Sequence, residues 1–570
     1  MSTSRSGLRY LALAAALLST LGCALRGAAQ RDARPAYYGT DAPFAAEAVY
    51  FVVTDRFVNG DRGNDQREQA AGPWHTFDRP LYGPDGESDN IGYLGGDLRG
   101  VLDNADYVRD LGFSAVWITP IVDNPDAAFS GGDAPHWGSM WTDRGKTGYH
   151  GYWGVNFYRA DEHLVSGDLD FAAFTRGMHE RGLKVVLDIV ANHGSPAFGM
   201  DPPLPGFGQV FDANGTLVAD HQNLPPDRLD PVQVPLHRFY KRESELAQLS
   251  NFDDTSPEVL DYLVGAYLHW IEQGTDAFRI DTVSLMPPAF WQRFADRIRA
   301  KHPGFFLFGE AFNYDAAVVA QYTRPGGGEM SVLDFPLKQA IAALFEKPDG
   351  DYASVVPALH LEAGPYSNPY ELMTFYDNHD MPRLAASDTG FIDAHNFLFT
   401  ARGIPVVYYG SEVGFMRGRA EHAGNRNYFG QENIDAAPSS TIHENLRRIA
   451  RIRAQSPALQ RGLQVNVEFA GDRAAFYRVY QSDDVQQVAL VLLNKGDAPQ
   501  AFRVDRFLQP GIWRSEPAGR RQHVAPGGAL QSEVAAHGAQ VWLLDASVTD
   551  PGLRAELDRL QPAGLHTSGE

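Results

Sequence analysis

Eight short apolar runs, rich in β-branched and aromatic residues, recur along this chain: Val49–Thr54, Ala115–Pro120, Lys184–Ile189, Ala277–Asp281, Phe305–Phe308, Ser331–Phe335, Leu372–Tyr376 and Pro405–Tyr409. Strands so uniformly apolar are buried on both faces, as in a parallel sheet covered by helices. Amphipathic stretches such as Asp168–Arg181, Ser256–Gln273 and Pro288–Ala300 lie between them. Eight strands alternating with helices close most simply into an α/β (β/α)8 TIM barrel. At 570 residues the chain exceeds the roughly 250 of a bare barrel and leaves room for added parts.

Two segments break the alternation. Residues 194–250 are rich in Pro, Gly and Asp and show no clear helix. A structureless loop of that length is foreign to a compact domain, so a small inserted subdomain after the third strand is expected. From Arg461 the pattern becomes strand-like, in Gln464–Phe469, Ala475–Tyr480, Gln487–Leu493 and Gln540–Leu543, with turn clusters at Asp483-Asp484 and Pro526-Gly527-Gly528. This predicts a C-terminal antiparallel β-sandwich over 461–546, then a tail, 547–570, that forms a short helix and frays. The barrel is left with residues 43–193 and 251–460. No internal repeats are visible.

At the N-terminus, Arg5 and Arg9 precede an apolar stretch from Leu11 to Leu18, short for a bilayer span but suited to a signal-peptide core. Residues 1–22 read as that signal and 23–42 as a polar linker. The segment Ser19-Thr20-Leu21-Gly22-Cys23 resembles a bacterial lipoprotein signal, in which Cys23 is lipidated and becomes the mature N-terminus. Cys23 is the only cysteine, so it has no disulfide partner. The alternative is an ordinary signal cleaved later, after Ala29. Both predict export to the periplasm or cell surface, and Ala24 after the cysteine favours the outer membrane of a Gram-negative cell. The net charge of -22 argues against nucleic acid or anionic lipid as partners, leaving a lipidated N-terminus as the one membrane attachment. A neutral polymer is compatible with it.

Four segments follow apolar runs: Asp188-Ile-Val-Ala-Asn192-His193, Phe278-Arg279-Ile280-Asp281, Phe308-Gly309-Glu310 and Asp377-Asn378-His379-Asp380. In a parallel barrel such strand ends gather at one mouth. Glycoside hydrolysis through a covalent intermediate needs an ionised carboxylate and a protonated one about 5–5.5 Å apart. Asp281 reads as the nucleophile, because Arg279 lies two residues earlier on the same strand face and favours its ionised form. Glu310 lies among Phe305, Phe306, Phe308 and Phe312, whose desolvation suits an acid catalyst. Asp380 is placed to favour positive charge at the anomeric carbon, and His193 and His379 to donate hydrogen bonds to ring hydroxyls. Taken singly, an acid at a strand end is more often a helix cap, and Arg-x-Asp a structural ion pair.

Together the four segments closely resemble the signature regions of the α-amylase family, glycoside hydrolase family 13. The resemblance implies that Asp281 is nucleophile, Glu310 acid/base and Asp380 transition-state stabiliser, with Arg279, His193 and His379 around the sugar. Tyr149-His150-Gly151-Tyr152-Trp153 resembles the family stretch whose tyrosine, here Tyr152, stacks on the sugar, with His150 near its hydroxyls. Trp153 and Tyr149 either line the site or pack the loop. The stretch from Thr54 to Asp65 resembles the calcium loop of cyclodextrin glycosyltransferases. That implies a Ca2+ ion on Asn59, Asp61, Asn64, Asp65, the Gly95 carbonyl and Asp97, with a polar turn as the alternative. A second family calcium site would pair Asn192 with a subdomain acid, but Gln248 stands at the aligned position. After the nucleophile many relatives carry Lys-His, where this chain reads Ser284-Leu285. There is no aromatic residue near Ser244 to wrap a glucan, no domain beyond one β domain and no extra N-terminal domain, which favours hydrolysis over cyclisation. The expected function is an exported retaining hydrolase of α-1,4 bonds in starch or maltooligosaccharides. The alternatives are a cyclomaltodextrinase or transglycosylase, and a non-catalytic starch-binding lipoprotein.

Overall fold

The computed structural model describes residues 37–561 apart from Trp141 and Ala363. The signal segment, Cys23 and the last residues of the tail lie outside the described residues.

Each of the eight apolar runs contributes a strand to one parallel sheet: β1 (Val49–Val52), β2 (Ala115–Ile118), β3 (Lys184–Ile189), β4 (Ala277–Ile280), β5 (Phe306–Gly309), β6 (Ser331–Val332), β7 (Met373–Thr374) and β8 (Ile404–Tyr408). The strand order is β6-β5-β4-β3-β2-β1-β8-β7. A parallel bridge joins Leu333 to Met373, and Asp334 N donates to Met373 O at 2.9 Å, so the two ends meet and the barrel closes. Strands β6 and β7 are far shorter than their apolar runs. Apolarity reports burial rather than ladder pairing: Leu333 and Phe335 are fully buried beyond the end of β6.

The outer helices start where the side chains can cap them. Asp170 accepts from Ala173 N before α1 (Phe171–Glu180), and Ser256 accepts from Val259 N before α2 (Pro257–Glu272), which carries Pro at its first turn. α2 buries Val259, Leu263, Val264, Tyr267, Trp270 and Ile271, the stripe a 3.6-residue period puts on one face.

The excursion after β3 is not self-contained. Gln209–Phe211 and Leu217–Asp220 form a four-stranded sheet with Asn156–Ala160 and Val122–Asp123, which belong to the loop after β2. Phe129, Trp153, Met200, Phe207 and Leu249 seal the two loops together.

The C-terminal region holds β9 (Leu463–Ala470), β10 (Arg473–Gln481), β11 (Gln486–Asn494), β12 (Gln500–Val504), β13 (Gly511–Glu516), β14 (Arg521–Val524), β15 (Leu530–Val534) and β16 (Gly538–Leu544). Its main antiparallel sheet runs β9-β10-β11-β16-β13-β14. Strand alternation splits its side chains between two cores. Ala474, Phe476, Ala489, Val491 and Leu493 join the barrel's core, while Ala475, Tyr477, Leu490 and Leu492 face outward into another. That outer core is covered by the β12–β15 pair and by α3 (Pro551–Leu560), through Leu553, Leu557 and Leu560. The second layer of the sandwich is therefore a two-stranded ribbon plus a helix.

Buried arginines stitch this region to the barrel. Arg478 donates to Thr400 O at 2.8 Å and to Gly462 O at 3.0 Å. Arg453 donates to Gly403 O at 3.0 Å, and Arg402 is fully buried: its Nη1 pairs with Asp334 at 2.6 Å while its backbone N–H donates to Gln464 Oε1 at 2.9 Å. Burial without a carboxylate partner pushes the Arg478 guanidinium down to about 9.

Candidate active site

Arg279 organises the mouth of the barrel. Strand register sets its Cα beside Asp188 on β3 and Phe308 on β5, and the two-residue strand repeat sends Asp281 to the same side. Its Nη1 lies 2.8 Å from Asp188 Oδ1 and 2.8 Å from Asp281 Oδ1, and its Nη2 lies 2.7 Å from Glu310 Oε2. One buried guanidinium thus holds both carboxyl groups proposed for catalysis. Burial, opposed by Arg279 and reinforced by Asp380, Asp281 and Asp188, pushes Glu310 up to about 8. Glu310 therefore carries its proton at neutral pH and can give it to a leaving oxygen. Burial likewise raises Asp188 to about 7 against the pull of Arg279.

The turn after the nucleophile is strained. Thr282 sits at φ 47°, a left-handed conformation that a β-branched residue rarely adopts. It places the Thr282 N–H 3.4 Å from Glu310 Oε2 and leaves the Thr282 hydroxyl buried without a partner. The turn can approach because residue 309 is glycine: a Cβ there would stand 2.8 Å from Val283 Cγ1.

Tyr152 donates its hydroxyl to Asp188 Oδ2 at 2.7 Å, lies 2.8 Å from His379 Nε2, and stacks on the His379 ring at 5.4 Å. Burial and the cations Arg426 and Arg279 hold His379 well below the usual imidazole range, so it is neutral. His150, also depressed by burial, accepts from Tyr152 N through Nδ1 at 3.1 Å; its proton is therefore on Nε2, which is buried with no partner and free to meet a sugar hydroxyl. His193 is buried beside Asn192, its Nδ1 3.1 Å from Asn192 Oδ1. Trp153 does both things left open for it: it packs on Phe129 and Phe207, and it lines the cavity. That cavity encloses about 370 Å³ and brings together Tyr152, Asp281, Glu310, His379 and Asp380.

Sequence reasoning missed a charged chain on the Asp380 side. Arg426, from the loop after β8, lies 2.7 Å from Asp380 Oδ1, donates to His379 O at 2.9 Å and pairs with Glu421 at 3.0 Å. Glu421 in turn pairs with Lys146 at 3.4 Å, and Lys146 with Asp143 at 3.5 Å. Burial opposes charge on Glu421, but Arg426 and Lys146 hold it down at about 2. Asp188 was also missed as a site residue, although its segment was singled out; the signal was an acid inside an otherwise apolar strand.

The loop after β1 presents an all-oxygen cluster. Asp97 caps a helix, taking N–H bonds from Gly100 at 2.7 Å, Gly60 at 3.1 Å and Asp61 at 2.8 Å, and accepts from Asn64 at 3.2 Å. Asn59 Nδ2 donates to Asp65 Oδ1 at 2.6 Å. The amide oxygens of Asn59 and Asn64 are buried with no partner. Gly95, at φ +88°, presses its backbone on this group: a Cβ would lie 2.2 Å from Asn59 and 2.4 Å from Asp65. Orphaned oxygens around a close carbonyl-bearing backbone fit a hard cation held by Asn59, Asn64, Asp65 and Asp97. Asp61 lies at the solvent side of this group, its Oδ1 accepting from Gly63 N at 2.8 Å.

Around Asn192 the expectation needs correction. Its Nδ2 donates to Glu245 Oε2 at 2.8 Å, so the subdomain acid is Glu245, and residue 248 is not its partner. Lys241 sits beside this acid, 2.6 Å from Glu245 and 2.6 Å from Asp254.

A family model described as "Alpha amylase, catalytic domain" matches residues 51–200 and 236–451. A cyclomaltodextrin glucanotransferase of Thermoanaerobacterium thermosulfurigenes is 28% identical over 507 residues, covering 85% of this chain and 64% of that protein. An α-amylase of Streptomyces lividans is 28% identical over 573 residues, covering 86% and 60%. The chain thus spans less than two thirds of the length of these two relatives. Among solved structures, a cyclomaltodextrin glucanotransferase with a three-domain ABC distribution matches with TM-score 0.70 and 28% identity, over 88% of this chain and 99% of that one. The α-amylase of Geobacillus thermoleovorans, complexed with acarbose, matches with TM-score 0.67 and 26% identity, over 88% and 99%.

Proposed function

The chain belongs to the α-amylase family of glycoside hydrolases, and from that premise we propose that it is an exported enzyme cleaving α-1,4-glucosidic bonds of starch or maltooligosaccharides with retention. The observation that carries this reading is the pair Asp281 and Glu310 on the two Nη atoms of Arg279. Such a shared partner suits the close spacing of double displacement, about 5–5.5 Å, better than the roughly 6.5–9.5 Å of inversion. Asp281 attacks the anomeric carbon while Glu310 protonates the leaving oxygen. Glu310, now a carboxylate, then takes the proton of the incoming water as the ester to Asp281 breaks. Asp380, anchored by Arg426, lies where positive charge develops, and the protonated Nε2 of His150 offers a donor to a hydroxyl.

A calcium ion on Asn59, Asn64, Asp65 and Asp97 would tie the loop after β1 to the helix that begins at Leu98, a structural task outside the chemistry. Export rests on the signal-like residues 1–22, and outer-membrane attachment on lipidation of Cys23.

Transfer to a sugar acceptor is the second reading, favoured by the glucanotransferase relatives. A glucanotransferase with three domains removes domain number as an argument against it. The test is incubation of a soluble form of the chain, starting after Cys23, with soluble starch, pullulan and β-cyclodextrin, resolving products over time. Mixed maltooligosaccharides from starch with intact cyclodextrin support hydrolysis; preferential cyclodextrin opening, or products longer than the substrate, would replace it. A Glu310→Gln variant that turns over starch as the wild type does would refute the catalytic assignment.

A further inference from the structure

The second calcium site that the family resemblance implies at Asn192 does not fit this chain. A metal shared by Asn192 and Glu245 needs an oxygen from each. Instead Asn192 turns its amide N–H to Glu245 Oε2, at 2.8 Å, and its Oδ1 accepts from Asn251 Nδ2 at 3.2 Å. Asn251 Oδ1 in turn accepts from Glu245 N at 3.1 Å. Asn192 and Asn251 are buried, and both polar atoms of each amide are engaged. At the first site, by contrast, the amide oxygens of Asn59 and Asn64 are buried without a partner.

A cation already stands beside these groups. The Lys241 ammonium lies 2.6 Å from Glu245 Oε1 and 2.6 Å from Asp254 Oδ2, with its side chain 17% exposed. Burial opposes its charge, but Asp254 and Glu245 outweigh burial and hold the amine above the ordinary lysine range. A divalent ion on Glu245 would face that ammonium across a single carboxylate, and like charges at such range repel.

The segment that carries Lys241 also holds a wall of the catalytic cavity. Lys241 N donates to Asn251 O at 2.9 Å, and Phe252 N donates to Asn192 O at 2.8 Å. Leu249–Asn251 pairs antiparallel with His193–Pro196, with Asn251 opposite His193. His193, Leu246, Ala247 and Leu249 all line the cavity. Asp254 lies just ahead of α2, which leads into β4 and Arg279. One ammonium therefore ties the end of the subdomain loop to the barrel beside a histidine that faces the cavity.

We propose that Lys241 is the resident cation of this second site, standing where a metal ion would otherwise be held, and that it positions the His193 strand without calcium. It is a positioning residue and touches no reacting atom.

The test counts bound calcium on the full chain by equilibrium dialysis. The wild type should bind no more than one ion, a count that needs no variant to fold; two would overturn the proposal. Lys241→Met frees Glu245 and Asp254 and should bind one ion more than the wild type, whatever the first site holds, while Lys241→Arg should add none. Equal counts in Lys241→Met and the wild type would overturn it. Without calcium, KM for maltotetraose in Lys241→Met should stand about two- to tenfold above the wild type, the effect of one displaced hydrogen bond, with a smaller change in kcat. Added calcium should close that gap, as Lys241→Arg does; a gap that calcium leaves open would overturn the positioning role. Turnover by no form at all would overturn the hydrolase reading on which the KM comparison rests, and the calcium counts would then decide.

Discussion

Replacing Arg279 by methionine removes the one cation that Asp188, Asp281 and Glu310 share. Its side chain is wholly buried and that of Glu310 is 5% exposed, so water cannot stand in for the lost charge. With the Nη2–Oε2 contact at 2.7 Å, the charge centres lie about 4 Å apart, and at an effective dielectric constant of about 20 the pair is worth about 4 kcal/mol. At roughly 1.4 kcal/mol per pH unit this is up to about three units. Removing a cation disfavours the carboxylate, so the sign is upward: Glu310, at about 8 in the wild type, stays protonated to higher pH. The alkaline limb of kcat/KM should therefore move up by between one and about three units, while kcat falls about 10²–10³-fold through loss of a buried charge-stabilising donor. The assay is a rate profile from pH 4 to 10 on a chromogenic maltooligosaccharide, with circular dichroism to confirm folding. Arg279→Lys, which keeps the charge but not the fork, should hold the limb nearer the wild-type position. An alkaline limb in the methionine variant within half a unit of the wild type would refute the view that this guanidinium tunes Glu310.

Glu310→Gln should lower turnover about 10²–10⁴-fold while glucan binding, read by calorimetry, survives. Its stability relative to the wild type should rise between pH 4.5 and about 8, because the wild type must hold in the folded state a proton that its unfolded chain gives up; a melting difference flat across that window would count against the raised value. Chelation should lower the melting temperature, by the equivalent of about 2.7 kcal/mol when free calcium was a hundred times its Kd, and Asn64→Ala should abolish that sensitivity. Arg402→Met strands a fully buried Asp334, and urea unfolding should show a loss of about 3–5 kcal/mol; less than about 1 kcal/mol would mean the pair is dispensable.

The barrel was legible because its strands are buried on both faces and so read as continuous apolar runs. The same logic failed for β12 to β15, where Gln500–Val504 alternates exposed and buried residues and carries too little apolar signal to stand out from a loop. The subdomain was legible only in part. Its sheet borrows Val122–Asp123 and Asn156–Ala160, and such short, non-local pairing leaves no local mark. At the site, Asp281, Glu310, Asp380 and their histidines stood out because each ends a recognisable strand. Arg426, Glu421 and Lys146 sit on loops with no periodicity, and only the closed barrel shows that these loops meet. Glu245 was overlooked because counting along a loop without periodicity pointed to Gln248, whereas only the folded loop brings Glu245 to Asn192.

The arginines at the seam bear on how such an enzyme can be recombined. Arg478 caps the carbonyls that end the loop before β8, and Phe476 and Val491 supply part of the barrel's own core. A crossover placed near residue 461 would carry the cation and the core side chains away with one parent and leave the waiting carbonyls with the other. Chimeras of the catalytic and C-terminal parts should therefore be viable only when both parents share this hydrogen-bonding grammar, and the natural unit of exchange is the barrel together with β9 to β11.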